Sequence, residues 1–371
     1  MPKIRVLIVD DAVVFRRLVA EELGRDPALD VVGTAADGRI ALAKLAQLSP
    51  DLVVLDVEMP ELDGLATLKE LRKTYPRLPV IMFSALTVRG AEATLDALSL
   101  GATDYFTKPT NAGGLEASLG VIREQLIPKI KALCPSVANG APAAGRANLV
   151  VRPSAIGAPA TSTAARIPSG RVDVLAIGTS TGGPNALVEI LRPLPADFPV
   201  PIVIVQHMPP MFTRLLAERL SAECAIPVQE ATLGAILQAG KAWIAPGDFH
   251  MIVAPEGRQM RLHLHQEAPE NSCRPAVDVL LRSLAKAFGP NSLTVILTGM
   301  GQDGMRGCEH LREAGGQILV QDEATSIVWG MPGSVARAGL ADRVLPLSLI
   351  ANEILRRVRP SQMTPSSPVI P

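Results

Sequence analysis

The stretch Gly178-Thr179-Ser180-Thr181-Gly182-Gly183-Pro184 directly follows the apolar run Val172-Asp173-Val174-Leu175-Ala176-Ile177. A β-branched apolar run that breaks into Gly-x-Ser-x-Gly and then Pro-x-Ala-Leu predicts a strand, a sharp turn and a helix. Gly178 and Gly182 allow the tight turn, and Pro184 suits a first helical position. Ser180 is therefore expected at the carboxyl end of a strand, beside a helix N-terminus whose free N–H groups favour developing negative charge. A plain Gly/Ser/Thr loop at any strand–helix junction has the same composition. The ends of other strands have to decide between the two.

The N-terminal section alternates short apolar runs with helix-like segments. Ile4–Val9, Asp51–Leu55 and Val80–Phe83 read as strands, while Val13–Leu23 and Leu65–Leu71 have helical spacing, with Asp63 a candidate N-cap. Such alternation predicts a parallel, doubly wound α/β sheet, whose ligands gather at the carboxyl ends of the strands. Those ends carry Asp10-Asp11, Asp56, Ser84-Ala85 and Thr107-Lys108-Pro109. Converging carboxylates repel and call for a cation, and oxygen ligands with open positions suit Mg²⁺. A lysine and a hydroxyl at neighbouring strand ends would bind the oxygens of a phosphoryl group carried on one carboxylate.

Residues 1–125 resemble a response-regulator receiver domain, through Asp10-Asp11, Leu55-Asp56-Val57-Glu58-Met59-Pro60 with Asp63-Gly64, Ser84-Ala85 and Lys108-Pro109. The resemblance implies a flavodoxin-like fold in which Asp56 accepts a phosphoryl group from a partner histidine kinase. It also implies Mg²⁺ held by Asp10, Asp11, Asp56 and the Glu58 carbonyl, and a switch through Ser84, Tyr105 and Lys108.

Composition bounds the rest. With 36 basic and 36 acidic side chains the formal charge is zero, which argues against a dedicated nucleic-acid binder. No apolar run approaches the roughly twenty residues needed to cross a bilayer. The N-terminus runs straight into a strand, and Cys134, Cys224, Cys273 and Cys308 lack metal-type spacing. A cytoplasmic chain with reduced thiols and no membrane insertion is expected, as a monomer. His263-x-His265 fits one face of an alternating strand without any metal. Residues 126–170 are expected to form a linker, with Ala, Pro, Gly, Ser and Thr dominating from about Cys134 and Leu149-Val150-Val151 as a short apolar interruption. Residues 358–371 read as a disordered Pro/Ser-rich tail.

Over 171–357 the strand/helix pattern resumes. Val200–Val205 ends in Gln206-His207-Met208-Pro209, and Leu293–Leu297 ends in Thr298-Gly299-Met300-Gly301-Gln302-Asp303-Gly304. Three strand ends thus deliver Ser180, His207 and Asp303, the parts of a nucleophile, its general base and an orienting carboxylate. A rival lies in the same stretch, because Gly299-x-Gly301-x-x-Gly304 with Asp322 downstream is a literal dinucleotide fingerprint. That fingerprint normally begins its domain, whereas here two strands precede it, and it leaves Ser180 and His207 without a role. A hydrolase fold that only binds a partner is a third alternative.

Residues 171–357 resemble the catalytic domain of the chemotaxis protein-glutamate methylesterases. The likeness rests on Ala176–Pro184, Val205-Gln206-His207-Met208, Arg274-Pro275-Ala276-Val277-Asp278 and Leu297–Gly304. It implies a Rossmann-like α/β serine hydrolase with Ser180 as nucleophile, His207 as base and Asp303 as orienting carboxylate. Met300 would offer an oxyanion N–H and Thr181 would shape the site. It further implies chemoreceptor glutamate methyl esters as substrate, methanol as product, no cofactor for hydrolysis, deamidation of receptor glutamine in some members, and control by receiver phosphorylation. Cys273 stands beside Arg274 where a more polar residue is expected.

Overall fold

A computed structural model describes residues 2–109, 114–135 and 170–358, and the chain divides into two compact units between Ala164 and Ala165. In the first unit β1 (Ile4–Val9), β2 (Leu29–Ala35), β3 (Leu52–Asp56), β4 (Val80–Ser84) and β5 (Asp104–Thr107) form one sheet in the order β2-β1-β3-β4-β5, with every pairing parallel. Ile4, Val6, Ile8, Leu52, Val54, Ile81 and Phe83 are fully buried within it, as expected of strands covered on both faces by helices. The helix Gly64–Thr74 begins where the sequence predicts, with the Asp63 carboxylate accepting from the Ala66 N–H.

The boundary expected after residue 125 is displaced. A helix begins at Gly114–Val121, passes through a π-helical turn at Ile122–Leu126, and continues through Ile127–Leu133. Ile122, Leu126, Ile127 and Ile130 extend its buried stripe into the core of the first unit, with Cys134 beyond them. Lys129 pairs with Asp104 at 2.5 Å and Lys131 with Asp26 at 2.7 Å, so this last stretch is tied to the domain by charge as well. Leu149-Val150-Val151, most of the expected linker and nearly all of the tail lie outside the described residues.

The second unit carries a seven-stranded sheet in the order β14-β13-β12-β6-β7-β9-β8. Its strands are β6 (Val174–Thr179), β7 (Ile202–Gln206), β8 (Val228–Glu230), β9 (Ala242–Ile244), β12 (Ser292–Ile296), β13 (Gln317–Gln321) and β14 (Arg343–Leu345), all paired in parallel. Between β9 and β12 an antiparallel hairpin, β10 (His250–Glu256) and β11 (Gln259–His265), stands apart from the sheet. It buries Met251, Val253 and Leu262 with Leu280, Leu281 and Leu284 of the helix Val277–Ala287. His263 and His265 lie on β11, with Glu256 3.4 Å from the first and Glu267 3.8 Å from the second.

Chain order reverses on either side of β6. Connections after β6 build outward through β7 to β9 and β8, whereas β12, β13 and β14 lie on the other side. The crevice beyond β6 and β12 is therefore the switch point where ligands of such sheets bind. Among the described residues no helix is long and apolar enough to cross a membrane.

Candidate active site and acidic site

The turn after β6 is held by backbone geometry. The Ser180 N–H donates to the Thr298 carbonyl at 3.0 Å, and the Ser180 carbonyl accepts from the Gly183 N–H at 2.8 Å and from Gln206 Nε2 at 2.9 Å. Gly182, at φ 78°, opens the helix Gly183–Leu191, with Pro184 in its first turn. No other residue adopts that backbone so cheaply. Thr181 is buried, and its carbonyl accepts from Thr298 Oγ at 2.9 Å. The strand–turn–helix expected around Ser180 is thus the local structure.

His207 follows β7, its N–H donating to the Thr179 carbonyl at 3.2 Å. Its Nε2 lies 2.8 Å from Asp303 Oδ2, and its Nδ1 lies 3.6 Å from Cys273 Sγ. Asp303 is 2% exposed and surrounded by donors. Its Oδ2 also accepts from the Val277 N–H at 2.6 Å. Its Oδ1 accepts from the Asp278 and Gly304 N–H groups and from Asn271 Nδ2, each at 3.0 Å. Two of those donors begin the helix Val277–Ala287, so the carboxylate also sits at the positive end of a helix.

These contacts set the charges. Burial alone would push the Asp303 carboxyl up; the hydrogen bond and charge of His207 and the backbone donors reverse that and hold it below its ordinary value. Burial likewise opposes the charged imidazole, but Asp303 and Cys273 outweigh it and raise His207 to about 10. Asp278 goes the other way. Its burial, and the nearby Asp303 charge, lift it to about 6 against the Gly307 N–H that favours the anion.

Met300 lies in the turn after β12, bracketed by two glycines. Gly299 is in contact with the Ser180 turn, since a Cβ there would stand 2.9 Å from Ser180 Cβ, 3.1 Å from Ser180 N and 2.4 Å from Met331 Sδ. Gly299→Ala is therefore expected to cost about 1–3 kcal/mol of stability. It is also expected to slow labelling of Ser180 by a fluorophosphonate at least about tenfold, roughly one such increment of barrier. Denaturation and labelling rates read the two effects separately.

Of the rival fingerprint's glycines, Gly299 and Gly304 make their close approaches within the protein, whereas a Cβ on Gly301 would meet nothing within 4 Å. A Cβ on Gly304 would meet Val277 and Ile296 at 3.1 Å. The Asp322 carboxylate accepts from the N–H and hydroxyl of Thr325 in its own loop, at 3.0 and 2.6 Å. Asn271 and the contact of Cys273 with the His207 ring are the features that pattern reading does not supply. Arg274 is committed to structure, donating to Asp248 and to the Gln266 and Glu267 carbonyls.

In the first unit the strand ends bring Asp10, Asp11 and Asp56 together, with one oxygen of each within 4.8 Å of the others. Asp10 and Asp56 are buried and Asp11 is exposed. Lys108 Nζ lies 2.7 Å from both Asp10 Oδ2 and Asp56 Oδ2. Burial, helped by the Asp10 charge and opposed by Lys108, raises the Asp56 carboxyl to about 6. Three carboxylates against one lysine leave excess negative charge, and an all-oxygen donor set open on the Asp11 side fits Mg²⁺. The Ser84 hydroxyl donates to the Gly90 carbonyl at 2.9 Å. Tyr105 is buried, with the Lys129 ammonium 5.6 Å from its ring. The Glu58 side chain is exposed and 3.8 Å from Arg89.

Residues 175–354 match the CheB methylesterase family and residues 6–119 the response regulator receiver domain family. A protein-glutamate methylesterase/protein-glutamine glutaminase of Trichodesmium erythraeum is 54% identical over 362 residues, covering 96% of this chain and 100% of that one. The chain belongs to the protein-glutamate methylesterase family. A second member, from a Nocardioides species, is 52% identical over 367 residues, covering 97% of this chain and 98% of its own. The solved CheB methylesterase catalytic domain of Thermotoga maritima is 41% identical, covers 50% of this chain and 98% of its own length, and superposes with a TM-score of 0.49. This methylesterase is accordingly an ester hydrolase joined to a receiver domain.

Proposed function

We propose that the chain is a receiver-controlled serine hydrolase that cleaves glutamate methyl esters on chemoreceptors, with a receiver whose last helix runs through Leu133 and a catalytic domain over 171–357. The observation that carries the catalytic reading is the His207–Asp303 pair, 2.8 Å apart at the switch point beside the Ser180 turn. Asp303 occupies Nε2 of the imidazole, which leaves Nδ1 to take the Ser180 proton. Ser180 Oγ then attacks the ester carbonyl, and the oxyanion is stabilised by backbone N–H groups, Met300 among them, in a pocket shaped by Thr181. The imidazolium returns the proton to the leaving oxygen, so methanol departs and an acyl-serine remains. Water, deprotonated by His207, releases the glutamate carboxylate and restores Ser180. A glutamine side chain would follow the same route with ammonia leaving, and no cofactor enters either path.

In the receiver, Asp56 accepts a phosphoryl group from a histidine kinase. Asp10, Asp11, Asp56 and the Glu58 carbonyl would hold Mg²⁺, which would supply positive charge against the phosphoryl oxygens. Lys108 and Ser84 bind those oxygens, Ser84 leaving the Gly90 carbonyl to do so, and Tyr105 shifts with Ser84. Phosphorylation of Asp56 shifts the population toward states in which the catalytic domain hydrolyses faster. The chain acts in the cytoplasm, as a monomer, without membrane insertion or nucleic acid, the last supported by its zero formal charge.

Methanol release from carboxymethylated receptor membranes, with and without Mg²⁺ and a small-molecule phosphodonor, tests both halves. Release that rises with phosphodonor is the expected result. Asp56→Asn is expected to keep the basal rate within about twofold, far less than one tenfold step in barrier, and to lose the response entirely. A response that survives in that variant overturns the regulatory assignment.

A further inference from the structure

Asp303 and Asp278 are two buried carboxylates, 2% and 1% exposed, that share one donor. Asn271 Nδ2 lies 3.0 Å from Asp303 Oδ1 and 2.8 Å from Asp278 Oδ2, so a single amide group reaches both. A carboxamide nitrogen has two hydrogens, which suffices for one bond to each. The chain around Asn271 is built to aim it. Glu270 and Cys273 exchange backbone hydrogen bonds at 3.1 and 2.9 Å, and Glu270 is gripped by both Arg282 terminal nitrogens at 2.6 and 2.5 Å. Asn271 and Ser272 adopt left-handed backbone at φ 52° and 60°, a region that asparagine tolerates better than most residues.

We propose that Asn271 is a positioning residue of the hydrolytic site: it bridges Asp303 and Asp278 so that the two anions can lie side by side with Asp303 Oδ2 turned to His207. This rests on the reading of His207 and Asp303 as base and orienting carboxylate. The groups facing the imidazole are Asp303 from the turn after β12 and Cys273 from the 270–274 segment. Asp278, Glu270 and Arg282 lie behind them. Without the amide, Asp303 loses one of its two donors that come from outside the helix start and its own turn, and the repulsion between the carboxylates is no longer screened by a donor between them. Among the described residues, the Gly307 N–H, 2.6 Å from Asp278 Oδ1, is then the one donor left to the Asp278 carboxylate.

Asn271→Gly is the informative change, because glycine keeps the left-handed backbone and removes only the amide. Three full-length variants are compared with the wild type: Asn271→Gly, Asp278→Asn and the double change. Two readouts are taken, kcat and KM for methyl-ester hydrolysis, and the His207 ring titration followed by ¹⁵N NMR. Asn271→Gly is expected to lower kcat about 10²-fold, the scale of a small misplacement of a working group, with KM unchanged. The His207 titration is expected to move to lower pH. In the double variant, removal of the second negative charge relieves the repulsion on Asp303 and is expected to restore part of the kcat loss.

A His207 titration in Asn271→Gly that superimposes on the wild type overturns the proposal, as does a loss that is the same with and without Asp278→Asn. The titration needs no turnover. A displaced titration with an unchanged rate would therefore uphold the positioning of Asp303 while overturning the catalytic reading of the pair.

Discussion

Ser180→Ala is expected to reduce methanol release by about 10⁵-fold, the scale of losing a serine nucleophile from a hydrolytic triad. The loss should fall on kcat, because the hydroxyl forms a bond only as the reaction proceeds. Folding should be untouched. The contacts that hold the Ser180 turn come from its backbone N–H and carbonyl, and alanine retains the Cβ that lies against Gly299. The variant should unfold within about 0.5 kcal/mol of the wild type and be refractory to a fluorophosphonate. Retention of even a tenth of the wild-type rate in a homogeneous preparation would remove Ser180 from the mechanism.

Asp303→Ala should be costly in both rate and stability. The side chain accepts from His207, Asn271 and three backbone N–H groups. Its removal strands those buried donors and leaves the imidazole without its orienting partner. A loss of about 10⁴-fold in kcat is expected from misoriented base, with about 3–5 kcal/mol of stability lost because a buried ion pair is broken on one side only. Asp303→Asn keeps the shape and should recover part of the stability but little of the rate.

The pH dependence follows from the same pair. The Asp303 carboxyl is held below its ordinary 3.8, so its contribution to stability is present above that value and is lost as pH falls through the lower, folded one. His207 is raised from 6.5 to about 10, so its contribution is complete below 6.5 and is lost as pH rises through about 10. The difference in urea midpoint between the wild type and Asp303→Ala, which isolates this pair from Asp278 and Asp56, should be greatest between about pH 3.8 and 6.5 and shrink at lower and higher pH. Catalysis runs against stability on the alkaline side. A general base must be unprotonated, so hydrolysis should increase from neutrality toward pH 10, where the pair begins to loosen.

What the sequence discloses about this fold depends on how each element is buried. β1, β3, β4, β6, β7 and β12 lie in sheet interiors, and such strands read as unbroken apolar runs. β2 escapes notice because Asp30 and Gly33 interrupt it and most of its residues are only half-buried at a sheet edge. β8, β9 and β14 are three residues each, too short to show a period. Pro128 and the loss of ordinary helical spacing at the π turn hide the continuation through Leu133.

The site divides in the same way. Ser180, His207 and Asp303 stand at strand ends, where the chain itself announces a ligand edge. Asn271 and Cys273 do not, because their partners are remote: Asn271 meets Asp303 across 32 positions and Cys273 meets His207 across 66. A pair of small residues in left-handed backbone could have flagged a shaped loop at Asn271-Ser272. Nothing in the residues themselves names what that loop touches.

The contact between Gly299 and Ser180 has a consequence for how this enzyme can diversify. With no room for a side chain at 299, the nucleophile's turn and the turn after β12 are mutually locked, and neither can drift without the other. Descendants of this chain that acquire new acyl preferences are therefore free to do so only through the remaining walls. Thr181 and Met300, which flank the locked pair, are the positions where inherited variation can reshape the pocket while the chemistry stays in place.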